Sequence, residues 1–332
     1  MIDRTDLLTW EGIRAVSQGE VLTAPNHTVT ILRTNLQRPI IKQGVVDPTP
    51  QVPFRPEPGS ILFARTAWRA PWRVPFLKAL SAPVVLIGAF YDPMVKPQAV
   101  LEMFPPDSPV KHWFGVQAAT THPKFTAMPM GVEGSMVPYL QQAERRESRD
   151  ITLYLNFKLH ERYTHINAMR RTLWQHFSAQ PWVTTDGWTP DGAAHYAQQL
   201  GRSQFVLSPP GNGWDCYRTY EAIAMGAIPI VKRERPMTDV CEDLPVLLVD
   251  DWYEITPTRL ALEWDFPKVE FRKERTMTMT QSYWTQRIQT EAVRVAEECA
   301  VWQSQVGDDG FATTTLRRGT RPGRNAPSQA IP

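Results

Sequence analysis

Arg218 and Glu221 stand three residues apart behind a Pro-Pro-Gly-Asn-Gly run, and this set of cation, carboxylate and glycine backbone suits a nucleoside diphosphate. Free amides at a helix N-terminus attract phosphate, and a guanidinium one turn in can take the same oxygens in a bidentate grip. A carboxylate one turn further on can accept both hydroxyls of a ribose. Gly211 and Gly213 permit the close backbone approach that a Cβ forbids, and Asn212 tolerates the left-handed region. The same residues also fit an ordinary βαβ crossover with a glycine turn and a solvated Arg and Glu, and a glycine loop alone does not separate the two readings.

The elements that must position these groups are legible around them. The apolar run 205–207 reads as a strand that Ser208 and two prolines stop. Asp215 is then expected to cap a helix running to about Met225, with Tyr217, Tyr220 and Ala224 on one face and Arg218 and Glu221 on another. Gly226 is the expected C-cap, and 228–231 returns as a parallel strand. From residue 151 the rhythm is strand, helix (about 165–178), strand near Trp182, helix (about 191–201), and then the unit just described, followed by a strand at 246–249. Such alternation predicts a doubly wound parallel sheet. Upstream, 29–32, 61–64 and 84–88 read as strands, and the proline-rich stretch 47–58 as a connection without regular structure. Polar 141–150 is the expected boundary, and about 283–303 a long closing helix.

The segments PPGNG, WDCYRTYEAIAMG, IPIV and, at 243–252, DLPVLLVDDW resemble the donor-binding half of exostosin-like glycosyltransferases and their viral and bacterial relatives. ITLYLNF at 151–157 is similar to the strand that opens that half; 83–92 and 128–133 resemble parts of the acceptor half. The resemblance implies a GT-B fold, two Rossmann-like domains facing a central cleft that holds a nucleotide-diphosphate sugar. Its implied division is an acceptor domain over 1–145, a donor domain over 146–280, a helix at 281–306 crossing back to the first domain, and a polar tail at 307–332 expected to be disordered.

A chain of 332 residues with 42% hydrophobic content is long enough for two moderate cores. Its net charge of +2 demands neither nucleic acid nor an anionic membrane. Cys216, Cys241 and Cys299 are an odd number at unrelated spacings, so neither a disulfide framework nor a zinc site is expected. The start lacks a basic region followed by an apolar one, and the longest apolar run, 82–91, is about half a membrane span. The expectation is a cytoplasmic protein of a bacterium or virus.

Glycosyl transfer requires the leaving diphosphate to be neutralised, either by a metal on an Asp-x-Asp motif or by amides and cations. The chain has no such triplet. The expectation is therefore metal-independent catalysis, with no cofactor beyond the donor, by Ser208, Pro210, Gly211, Asn212 and Gly213 with Asp215, Tyr217 and Arg218. Arg170 is the first choice for a second cation, with Lys158 and Lys232 as rivals. The paired glutamates of many retaining enzymes are incomplete, because the first falls on Gly213. Exostosin-like enzymes are largely inverting, which needs a base from the other domain. Asp92, after strand 84–88, is the nominee; His112, His122 and Glu133 rank behind it.

Arg65, Trp68, Arg69, Trp72 and Arg73 interleave cations with aromatics and are the expected acceptor surface, unless the tryptophans pack inward. The acceptor is a glycan or, in a phage, hydroxymethylated DNA, to which tail residues Arg317, Arg318, Arg321 and Arg324 would be attracted. The position of the glycines speaks against a dehydrogenase. A non-catalytic glycan- or nucleic-acid-binding protein on a degenerate transferase fold is the alternative.

Overall fold

The runs SILFA and VVLIG form strands in which every residue is buried, as a parallel strand covered on both faces should be. In the computed structural model, which describes residues 2–23, 29–36, 52–64, 72–88, 95–118, 120–159, 164–187, 192–235, 237–264 and 273–307, they are the centre of the first of two sheets. Its strands are β1 (Gly19–Thr23), β2 (Val29–Arg33), β3 (Ser60–Ala64), β4 (Val84–Gly88), β5 (Val110–Gly115) and β6 (Phe125–Ala127). They lie in the order β2-β1-β3-β4-β5-β6, parallel throughout except for the antiparallel edge pair β1–β2.

Side-chain alternation sorts this sheet between two coverings. Leu62, Ala64, Val84 and Leu86 meet Phe76 of helix α2 (Arg73–Ala79) and Val100 and Met103 of α3 (Pro97–Met103). Helix α1 (Trp10–Ala15) precedes β1, and α4 (Val137–Gln142) leads out of this half. The described part of the proline-rich connection departs from expectation. It runs along the sheet edge, with Arg33 N–H donating to Val52 O (2.8 Å) and Phe54 N–H to Ile31 O (3.0 Å), because edge strand β2 has main-chain groups to satisfy.

The second half alternates as expected: β7 (Ile151–Leu155), α5 (Thr164–Ser178), β8 (Val183–Thr185), α6 (Ala193–Arg202), β9 (Ser203–Leu207), α7 (Tyr217–Ala224), β10 (Ile228–Lys232), α8 (Met237–Val240), β11 (Leu247–Val249) and α9 (Pro257–Trp264). All five strands are parallel in the order β11-β10-β9-β7-β8. Chain direction across the sheet reverses between β7 and β9. The crevice at the carboxyl ends of those two strands is where open α/β sheets bind ligands.

A closing helix, α10 (Gln281–Gly307), returns to the first sheet and lays Trp284, Ile288 and Val295 against the face carrying Ile61, Phe63, Val85 and Ile87. Its start is pinned by the N-terminal segment, where Leu8 N–H donates to Met279 O (2.8 Å) and Gln281 N–H to Asp6 O (2.9 Å). The apolar cluster under α10 continues through Leu8, Leu140 and Met225 to Ala222 and Ile223 of α7, so the halves share a core. Each fully buried Leu, Ile or Met contributes about 1.5–3 kcal/mol, enough to hold the halves in a fixed relation. Residues 117 and 130, beyond β5 and β6, touch residue 215 beyond β9, so the carboxyl edges of the two sheets face each other. Two doubly wound, Rossmann-like halves meeting in this way make the GT-B-like arrangement expected. Residues 308–332, including the four tail arginines, lie outside the described residues.

Candidate functional site

The switch point is built from the ends of β7 and β9. Asn156 and Phe157 leave β7, and the loop 208–216 leaves β9 and enters α7. The loop is anchored at its departure, where Ser208 N–H donates to Ile230 O (2.9 Å) and the Ser208 and Thr219 hydroxyls share a 3.0 Å hydrogen bond. α7 ends in a Schellman motif, with Gly226 N–H donating to Ile223 O, Ala227 N–H to Ala222 O, and Gly226 at φ +76°. Arg149 caps the same helix through Met225 O (2.8 Å).

Two guanidinium groups stand over the ring of Phe157, each 5.6 Å from its centroid. Arg218, on the first turn of α7, donates its Nε–H to Asn156 O (2.9 Å), while its Nη1 is buried with no hydrogen-bond partner among the described residues. Arg170, on α5, is 2% exposed and donates to Pro210 O and Lys158 O, both at 2.8 Å. The two arginines therefore differ. Arg170 reaches beneath the loop and ties both sides of the switch point together through two main-chain carbonyls. Gly211 makes room for it, since a Cβ there would sit 3.2 Å from Arg170 Nη2. Lys158 is exposed, and the Lys232 ammonium bonds Asp250 O.

Glu221, one turn beyond Arg218, is 5% exposed and accepts a hydrogen bond from the Tyr196 hydroxyl at 3.0 Å. Burial pushes its carboxyl up to about 7, against the Tyr196 hydrogen bond and the Arg218 charge. The Tyr196 ring lies 6.2 Å from that of Tyr154, which belongs to a polar net along the sheet edge. Asn156 Nδ2 donates to the Tyr154 hydroxyl (3.1 Å), Tyr154 to Asp186 Oδ2 (3.1 Å), and His195 Nε2 lies 2.9 Å from the same oxygen.

Two expectations for the loop are corrected. Asp215 is not the helix cap: the N-cap is Cys216, whose side chain makes no capping hydrogen bond, and the Asp215 carboxylate turns away to accept Met130 N–H at 2.8 Å. A buried main-chain donor of the other half competes successfully for an oxygen that helix amides would otherwise take. Burial pushes the Asp215 carboxyl up to about 7, opposed by the neighbouring Tyr220 hydroxyl and the Met130 amide. The loop amides are also not all at a ligand's disposal. Gly211 N–H is taken by Gly213 O (2.9 Å) and Asp215 N–H by Gln117 Oε1 (3.0 Å).

From the first half, Glu133 arrives at the crevice, its main-chain amide facing the Glu221 carboxylate. The Tyr217 phenol is pushed up by burial and by the carboxylates of Glu133, Glu11, Glu221 and Asp215 around it. The other candidates of this half are elsewhere. His112 is held between Glu291 of α10 (3.2 Å) and the Thr126 hydroxyl (2.9 Å), and burial lowers its pKa. His122 stacks on Phe104 at 4.9 Å between centroids. Arg73 pairs with Glu102. Asp92, Arg65, Trp68 and Arg69 lie outside the described residues.

Sequence reasoning assigned no role to Asn156, Gln117 or Tyr196. A polar residue directly after an apolar strand could have flagged Asn156. Nothing local distinguishes Gln117 or Tyr196. Among the described residues no group of three or more His, Cys, Asp or Glu is arranged to hold a metal, and no helix is long and apolar enough to cross a membrane.

The model of the RXYLT1 C-terminal domain family matches residues 152–298. Ribitol-5-phosphate xylosyltransferase 1 of Danio rerio is 27% identical over 146 residues, covering 40% of this chain and 32% of that protein, so the chain matches about a third of the relative's length. The pneumococcal O-GlcNAc transferase GtfA, solved with UDP and GlcNAc, aligns over 76% of this chain and 57% of its own, at 11% identity and a TM-score of 0.34. A glycosyltransferase of Rickettsia africae aligns over 74% and 76%, at 12% identity and a TM-score of 0.37. The family match spans β7 to most of α10, and so contains Asn156, Arg170, Arg218 and Glu221, while the first sheet falls outside it.

Proposed function

We propose that the protein is a nucleotide-sugar-dependent glycosyltransferase that moves a sugar to a hydroxyl acceptor, without a metal and with inversion. The observation that carries this reading is the pair on α7: a guanidinium with a buried, unsatisfied N–H and, one turn on, a buried carboxylate, both at the sheet's switch point. A buried N–H without an acceptor costs free energy, and a phosphate oxygen would satisfy it. Glu221 would grip the ribose hydroxyls, and Arg218 with those amides of the Ser208–Gly213 loop that are not taken within the protein would take the diphosphate. The similarity to a xylosyltransferase over this same half supports the reading.

In this mechanism the departing diphosphate develops charge beside Arg218 and the α7 N-terminus, which replaces the Lewis acid that an Asp-x-Asp motif would hold. Asp92 takes the acceptor proton, and Glu133 is the substitute for that role within the described residues. The acceptor is a glycan or other polyol.

Titrating the protein with UDP and GDP by calorimetry tests the donor half. One of them should bind in the micromolar range, and Glu221→Ala should weaken it by at least about tenfold, the worth of one charge-assisted contact. Binding of neither nucleotide would refute the reading. Asp92→Asn should cut turnover with donor binding kept; near-normal turnover removes Asp92 from the mechanism. Slow hydrolysis of nucleotide sugar in the absence of acceptor separates an enzyme from a binding protein.

A further inference from the structure

We infer that Gln117 is a positioning residue for the donor loop, a latch by which the first half fixes the main chain of Asp215 at the entry to α7. Its primary amide reads that peptide from both sides: Nε2 donates to Asp215 O (2.7 Å) and Oε1 accepts Asp215 N–H (3.0 Å). Such pairing is what a neighbouring strand would provide, delivered by one side chain from a residue 98 positions away. Gln117 is 2% exposed, so both bonds lie out of water's reach.

The backbone is held in an unfavourable place to do this. Gln117 has φ +56°, the left-handed region that favours glycine, and among the described residues it is the non-glycine residue with positive φ. Surroundings that enforce such a conformation point to a role for the side chain it aims. Here Val95 N–H donates to Gln117 O (2.7 Å), pinning the residue from the β4–α3 side. A second tie runs in parallel, from Met130 N–H to the Asp215 carboxylate. Both grips end on Asp215, two residues before Tyr217 opens α7 and three before Arg218. The direction of the first helical turn, and with it the Arg218 guanidinium, is set from across the crevice.

The binding arm of this inference rests on the donor site proposed above; the structural arm does not. Gln117→Gly and Gln117→Asn both suit φ +56°, but the first has no amide and the second is one methylene too short to reach Asp215. Amide hydrogen exchange and UDP titration are measured on the full chain for wild type and both variants. Exchange across 128–132 and 213–218 should rise by about tenfold or more while β9 is unchanged, and the UDP dissociation constant should rise about tenfold in both variants. Unchanged exchange overturns the latch. Faster exchange with UDP affinity preserved overturns the positioning role and leaves only a structural tie. If wild type binds UDP and GDP alike with no measurable affinity, the donor-site reading fails and the exchange arm alone decides whether the latch exists.

Discussion

Asp215 and Glu221 bracket the entry and the middle of α7, each buried and each pushed by burial to about 7, yet they face different parts of the molecule. Asp215 meets the first half, its carboxylate through the Met130 amide and its main chain through the Gln117 side chain, with the Tyr220 hydroxyl beside it and its Oδ1 without a hydrogen-bond partner among the described residues. Glu221 meets the Tyr196 hydroxyl of its own half and the Glu133 amide of the first, with the Arg218 guanidinium beside it and that group's Nη1 unsatisfied. One carboxylate ties the helix entry to the first half; the other lies beside an unsatisfied guanidinium N–H where open sheets bind ligands. Buried carboxylates cost stability, so a fold keeps one at the entry to a short helix and another on it only where their contacts return something.

The sharpest way to break this contrast is Arg218→Ala. Loss of a guanidinium bonded to diphosphate should weaken UDP about 100-fold by calorimetry, with little change in melting temperature. Unaltered affinity would mean that the Glu221 end is no more a ligand site than the Asp215 end.

The pH dependence of stability comes next in size. Both carboxyls titrate higher folded than unfolded, so they favour the folded state below about pH 4, and that contribution is lost as pH rises through about 7. Urea unfolding should therefore show a decline on the order of 2.5 kcal/mol for each of the two carboxyls between pH 5 and 8. Asp215→Asn, which can still accept Met130 N–H, should remove part of it, and bound UDP should reduce the part due to Glu221. A profile that neither change affects would contradict the assignment of both groups.

The smallest expected effect is at the far end of α7. Gly226→Ala places a Cβ at φ +76° and 2.6 Å from Arg149 Nη2. It should cost about 1–2 kcal/mol in urea and leave UDP affinity alone, because the Schellman end supports the helix without touching the crevice.

Much of the donor side was legible because its signals are local. Strand 205–207, the glycine loop, the helical spacing of Arg218 and Glu221, and the return at 228–231 are encoded within thirty consecutive residues, and periodicity and turn chemistry read such stretches well. The strands at 61–64 and 84–88 were visible for the same reason, while β1, β5 and β6 were not. β5 carries Lys111 and His112 within its run, and the His112 side chain is held by Glu291 of α10, a partner nearly 180 residues away. The use made of Arg170 was hidden too, since sequence cannot say whether a cation meets phosphate or a carbonyl.

The sequence by itself determined a parallel α/β chain, a switch-point loop rich in glycine, and a cation and a carboxylate on one helix behind it, because each depends on neighbours a few residues apart. Only the tertiary structure decided which groups are spent and which are left over: that Asp215 turns to Met130, that Gln117 bends into a glycine's conformation to hold it, and that Arg170 supports while Arg218 keeps an N–H unsatisfied. Those outcomes depend on how two sheets meet at their carboxyl edges, where buried donors and acceptors compete for partners that lie far apart in the chain.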